Sequence, residues 1–144
     1  MVMRSARNTA MDLLSRREHS RSELMEKLRQ RDFDAESIQQ ALDALQQEGL
    51  QSDQRYAESY VYQRAQKGFG PLRIEYELRQ RGIDDHIVES VMQPEQDSWS
   101  DHMQQQRARK FGDQIPEDYA EKMKQARFLQ NRGFSPELVM RLFR

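Results

Sequence analysis

The chain has 144 residues, of which 33% are charged and 36% hydrophobic, with a mean hydropathy of -1.05 and a net charge of -1 at neutral pH. Leu, Ile, Val and Phe together occupy 28 positions, near the floor for a folding chain, but the high net charge that accompanies disorder is missing. The lack of cysteine excludes disulfides, thiolate metal sites and thiol nucleophiles, and no window approaches the ~18 apolar residues of a membrane span.

Residues 1–7 carry no apolar run behind them and so do not form a secretory signal. These features predict a soluble, cytoplasmic protein with a thin core, hence an elongated shape with a large surface for its length.

Apolar residues recur at helical spacing throughout, and no run alternates at period two, which predicts an all-α fold. The first predicted helix covers 5–16. The second, 20–31, opens on Ser20-Arg21-Ser22-Glu23, a capping box in which the Ser side chain and Glu23 satisfy each other's backbone amides. A third covers 34–48 and stops at Gly49. The fourth, 53–66, sets Tyr56 and Tyr60 on one face with Arg64, while Tyr62 points elsewhere.

The fifth, 71–81, has Pro71 in its first turn, where the missing N–H is no loss. Asp84-Asp85 opens the sixth, 84–92, as a cap with charge favourable to the helix dipole. The seventh, 95–111, carries Trp99 and Met103 at i, i+4, with Gln104-Gln105-Gln106 riding its exposed side. Pro116 and Pro136 start the eighth and ninth, 116–132 and 136–143. Gly49, Gly68, Gly82, Gly112 and Gly133 follow helix ends, where a left-handed residue is wanted.

These signals return at offsets of 50 and 51 residues. Leu28-Arg29-Gln30-Arg31-Asp32-Phe33 aligns with Leu78-Arg79-Gln80-Arg81-Gly82-Ile83 and with Leu129-Gln130-Asn131-Arg132-Gly133-Phe134. Ten residues after each Leu stand Ile38, Val88 and Val139. The pairs Ala41-Leu42, Val91-Met92 and Leu142-Phe143 follow. The chain therefore reads as three tandem three-helix repeats, 1–49, 50–93 and 94–144, stacked into an elongated, curved rod because one unit alone could scarcely bury a core.

In the alignment Gly70 matches Ser20, so Gly68-Phe69-Gly70-Pro71 is read as a helix stop followed by a helix start. A dinucleotide fingerprint would need a third glycine, where Arg73 stands, and a preceding strand. The corner leaves Lys67 and Phe69 as candidates for partner contact.

Little else suggests chemistry. His19, His86 and His102 are solitary, without metal-ligand spacing, and the serines lack a nucleophile elbow. No catalytic, cofactor-binding or metal-binding residue is predicted. Trp99, Phe111, Phe128 and Phe134 fall on apolar stripes and are read as core.

Basic and acidic residues number 8 and 9, 6 and 7, and 9 and 8 in the three units, so none is strongly basic. Local clusters remain at Arg16, Arg17 and Arg21, at Arg107, Arg109 and Lys110, and at Lys122, Lys124 and Arg127. Arg29, Arg31, Arg79, Arg81 and Arg132 suit helix C-termini, where a cation offsets the dipole. Lys122 and Lys124 fall inside the predicted eighth helix, and there a contact role and a solvated face stand level.

Gly49-Leu50, Asp53, Arg55-Tyr56-Ala57, Val61, Arg64, Lys67-Gly68, Gly70-Pro71, Ile74, Glu77-Leu78 and Arg81-Gly82-Ile83 together resemble the central signature of the RecX family. Arg109-Lys110-Phe111-Gly112, Lys122-Met123-Lys124, Arg127-Phe128-Leu129 and Arg132-Gly133-Phe134-Ser135 resemble that family's third repeat. Two departures stand out: Asp32 where the other repeats have Gly, and a chain that stops at Arg144 soon after the last helix. The resemblance implies a non-catalytic regulator, without cofactor, that binds RecA and the RecA–DNA filament and restrains recombinase, ATPase and coprotease activity. The alternative is a helical-repeat protein that binds DNA directly through basic patches. The candidate partner-binding residues are Arg64, Lys67, Phe69, Arg73, Lys122, Lys124 and Arg127, on a monomer with no membrane partner.

Overall fold

Side-chain caps open most of the helices. Residues 4–144 are described by a computed structural model, and they form nine α-helices and one 3-10 segment, without a strand. The first unit comprises α1 (Ala6–Arg16), α2 (Arg21–Gln30) and α3 (Ala35–Gln47). The second comprises α4 (Asp53–Gln66), α5 (Pro71–Gln80) and α6 (Asp85–Met92), and the third α7 (Trp99–Phe111), α8 (Tyr119–Asn131) and α9 (Pro136–Leu142).

Ser5, Asp34, Ser52, Asp118 and Ser135 each accept a backbone N–H inside the first turn of the helix they precede. Ser20 does so within a complete capping box with Glu23. Ser20→Ala removes the hydroxyl half of that box and should cost about 0.5–2 kcal/mol, read from the urea midpoint. Asp84 stands at the start of α6 but caps no amide through its side chain, and Asp85 instead accepts from Arg79 Nε at 2.9 Å.

Two predicted helix starts move. Gln93–Ser98 is a 3-10 turn with Pro94 in its first positions, so α7 begins at Trp99 rather than 95. Asp118, a side-chain acceptor, sets the start of α8 at Tyr119, and Pro116 lies in the loop ahead rather than in the first turn. Lys122 accordingly sits near the amino end of α8, where its charge opposes the dipole.

Burial follows the repeat. Leu28, Leu78 and Leu129 are wholly buried, as are Ile38, Val88 and Val139 at the positions ten residues on. The turn after each motif takes a left-handed residue, and Asp32 (φ 67°) adopts there the conformation that Gly82 and Gly133 adopt in the other units. A short polar side chain that tolerates this region replaces glycine without altering the corner.

Two apolar cores result. Leu13, Leu24, Leu28, Leu42 and Leu45 belong to a core confined to α1–α3. Tyr56, Leu78, Trp99, Leu129 and Phe143 belong to a second that runs without interruption through the other two units. The first unit thus closes a core of its own, which the sequence pattern did not suggest, whereas the second and third depend on each other. The accessible surface of 9403 Å² exceeds the roughly 7,800 Å² of a compact monomer of 17.2 kDa, as an extended stack of small units requires.

Candidate partner-binding surface

Glu77 on α5 is the hub of one face. Arg64 Nε and Nη2 donate to its two oxygens at 3.0 and 2.9 Å, and the Tyr60 hydroxyl donates to Oε1 at 2.9 Å. Arg73 Nε lies 3.5 Å away, one turn back on the same helix. Beside this hub sits Phe69, set by the turn at Gly68 (φ 95°). Its ring lies under three guanidiniums, with Arg64, Arg73 and Arg132 at 3.9, 4.4 and 5.0 Å from the centroid. These distances lie within cation–π range.

The arrangement continues both ways along the stack. Arg132 also covers Phe128 at 5.3 Å, Lys110 reaches the same ring at 5.7 Å, and Phe111 meets it edge-on at 5.4 Å. In the other direction Arg81 covers Tyr60 at 4.8 Å, and Tyr60 packs on the buried Tyr56 at 5.9 Å. A continuous band of cations and aromatic rings thus joins the second unit to the third. Its hub holds a single carboxylate.

Burial alone would raise the Glu77 carboxyl, but hydrogen bonds from Arg64 and Tyr60 and the charges of Arg64 and Arg73 outweigh it and hold the group below its ordinary value. Burial, then the bond to Glu77, pushes the Tyr60 hydroxyl up to about 12, so it remains a donor at all ordinary pH. A carboxylate depressed in the fold stabilises it above its unfolded value of about 4.3 and loses that contribution as pH falls toward the folded value. Lowering pH through this window should therefore weaken the second and third units, and Glu77→Gln should flatten that part of a plot of urea midpoint against pH.

Of the residues singled out from the sequence, Arg64, Phe69 and Arg73 converge here. Lys67 is the exposed C-cap of α4. On α8 Lys124 lies one turn before Phe128 and flanks the band. At about 100° per residue, Lys122 stands on the order of 160° from Lys124, so the two share no face, and Arg127 is about 100° from Phe128. Sequence reasoning had grouped these three.

It also missed Arg81, Arg132, Tyr60 and Phe128 as surface elements. Arg81 and Arg132 are equivalent positions of the repeated motif, and their common place over an aromatic ring was the available signal. Phe111 and Phe128, expected in the core, are only half-buried, whereas Trp99 and Phe134 are core residues. Gln106, expected on an exposed face, is instead buried against Gly68.

Every ion pair among the described residues lies between Arg4 and Asp85. The third unit leaves its cations without carboxylate partners. Arg107, buried, donates instead to the carbonyls of Asp113 and Gln114 at 2.9 and 3.2 Å and holds the loop before α8.

The glycine-rich corner is not a phosphate cradle. The Gly70 N–H donates to Arg132 O at 2.7 Å and the Leu72 N–H to Gly133 O at 2.9 Å. The amides an anion would need are already engaged by the next unit. His19 is buried, with ring nitrogens 3.0 Å from the Arg17 carbonyl and from Lys27 Nζ. No group of three His, Cys, Asp or Glu side chains suited to a metal occurs among the described residues. No helix among them is long and apolar enough to cross a membrane.

These features define a three-unit helical-repeat protein whose distinctive chemistry lies on its surface. Family models for the first, second and third three-helix domains of RecX match residues 6–45, 52–92 and 100–143. The chain belongs to the RecX family.

It is 48% identical over 138 residues to the regulatory protein RecX of Pseudomonas fluorescens SBW25, covering 96% of this chain and 89% of that one. It is 45% identical over 136 residues to that of Pseudomonas putida, covering 94% and 87%. Among solved structures, the crystal structure of RecX from Lactobacillus salivarius superposes with a TM-score of 0.80 at 27% identity, over 93% of this chain and 89% of that one. A second crystal structure, of a regulatory protein RecX, superposes with a TM-score of 0.78 at 24% identity, over 92% of this chain and 67% of that one, a likeness of fold alone.

Proposed function

We propose that this chain binds RecA and the RecA–DNA filament and restrains recombinase, ATPase and coprotease activity without catalysing a reaction itself. The observation that carries this reading is the band of cations and rings across the second and third units. It is concentrated where the chain's overall charge is near neutral, so a specific surface supplies what bulk charge does not. Units with boundaries near 49 and 93, strung along a rod, suit repeated weak contacts to successive protomers. Each engaged contact raises the effective concentration of the next. Arg64, Lys67, Phe69, Arg73, Lys124 and Arg127 provide the docking chemistry, joined by Arg132, with Lys122 apart from them. The expected place of action is the cytoplasm.

The experiment is a titration of this chain into RecA filaments with DNA-dependent ATPase as the readout. Suppression at concentrations comparable to RecA supports the reading, and no effect at tenfold excess sinks it. The unpaired cations of the third unit favour a second reading, direct binding to nucleic-acid phosphates. That reading predicts binding to DNA without RecA, with affinity falling steeply as salt rises.

A further inference from the structure

We propose that the molecule is two mechanical bodies joined by a polar hinge: the first unit pivots at residues 48–52, while the second and third units move as one. The two junctions differ in the chemistry of one repeated position. At the second, Gly70 has no side chain to cap its own helix, and its N–H crosses to Arg132 O of the next unit. Leu72 adds a parallel bond to Gly133 O. At the first, the equivalent residue is Ser20, whose N–H is taken by Glu23 Oε1 of its own capping box at 3.1 Å. An amide satisfied inside its own helix has nothing left to give the neighbouring unit.

The remaining contacts follow the same division. The second junction lies inside a shared apolar core and is bridged by helix nearly without a break, α6 running through the 3-10 turn into α7. Separating those units would expose apolar surface and orphan backbone groups together. Among the described residues no apolar core spans the first junction. Apart from the close approach of Gly82 to the Ser22 side chain, what spans it is a partly buried polar set: Arg21 N to Asp53 Oδ1 at 2.8 Å, Gln51 Nε2 to His19 O at 3.3 Å, and the exposed pair Arg55–Glu18 at 3.0 Å. Its linker turns through Gly49 (φ 75°), beside which a side chain would meet nothing within 4 Å. Water can replace each of these polar contacts, so opening here costs far less than at the second junction.

The chain's lack of cysteine makes the test direct. Spin labels on the exposed positions of Gln39→Cys with Glu89→Cys report the first junction, and on Glu89→Cys with Glu137→Cys the second. The first distance distribution should be at least about twice as wide. It should widen further when salt is raised from about 0.05 to about 0.5 M, which screens exposed pairs. Asp53→Ala should broaden the first distribution and leave the second alone, with helicity unchanged. Equal widths that ignore salt, or a second junction as broad as the first, would overturn the proposal.

Discussion

Gly70→Ala should destabilise the second and third units by about 2–4 kcal/mol, a combination of overpacking and weakened buried hydrogen bonds. Gly70 has an ordinary φ of -94°, so the backbone conformation itself would accept alanine. The cost comes from its neighbours. A Cβ at Gly70 would stand 2.5 Å from the Gly133 carbonyl carbon, 2.6 Å from its oxygen and 2.6 Å from Phe134 N. All three are backbone atoms, which cannot rotate out of the way as a side-chain end could. The two units must separate, stretching the 2.7 and 2.9 Å bonds that join them.

Gly49→Ala supplies the contrast. There the added methyl meets nothing within 4 Å, but φ is +75°, so the penalty is conformational and limited to about 1–2 kcal/mol. In denaturant titrations the two variants should also differ in kind. Gly70→Ala should lower the midpoint of the shared core, and Gly49→Ala should leave that core at its parent value. A Gly70→Ala variant as stable as the parent would show that the close approach of the two units is not what holds them.

The repeat was legible because burial imposes a fixed register. Leu28, Leu78 and Leu129 had to be apolar, and cap and turn residues had to flank them. The corner at residues 68–71 was legible only in part. Its glycines could be read as a stop and a start, but the contact with residues 132–134 lies some sixty residues away and leaves no local pattern. The start at 119 was misplaced because Pro116 and Asp118 compete for it and the Asp118 side chain reaches an amide, whereas the start at 99 was misplaced because residues 93–98 form a 3-10 turn and Ser98 caps nothing.

The surface was less legible still. Arg81 and Arg132 satisfy a dipole rule and also cover aromatic rings, and sequence offers no means of ranking two roles for one side chain. Lys122 and Lys124 are neighbours in the chain and point apart in space. Helical geometry already implies that divergence for the predicted helix over 116–132, since two residues at about 100° each stand on the order of 160° apart.

That divergence gives the functional proposal its sharpest test. Lys67→Glu, Lys124→Glu and Arg127→Glu combined should raise the concentration needed to suppress DNA-dependent RecA ATPase at least tenfold, a loss of about 1.4 kcal/mol. None of the three has an ion pair or a ring contact among the described residues, and substitution at such surface sites usually changes stability by under ~0.5 kcal/mol. Helicity and melting should stay at parent values, so a loss of suppression would report docking.

Arg73→Gln with Arg132→Gln should weaken suppression at least as much. It should also cost about 1–2 kcal/mol of stability, because both cover Phe69 at 4.4 and 5.0 Å. Two controls place the same kind of charge reversal elsewhere, and between them they reverse as many cations as the triple variant. Lys122→Glu lies on the order of 160° round α8 from Lys124. Arg29→Glu with Arg31→Glu lies on exposed positions of the first unit, away from the band. Both controls should suppress as the parent does. If they fail as badly as the triple variant, net charge rather than the band governs the encounter. If the triple variant suppresses normally while folded, the band is a structural seam between units, and the docking surface lies elsewhere on the rod.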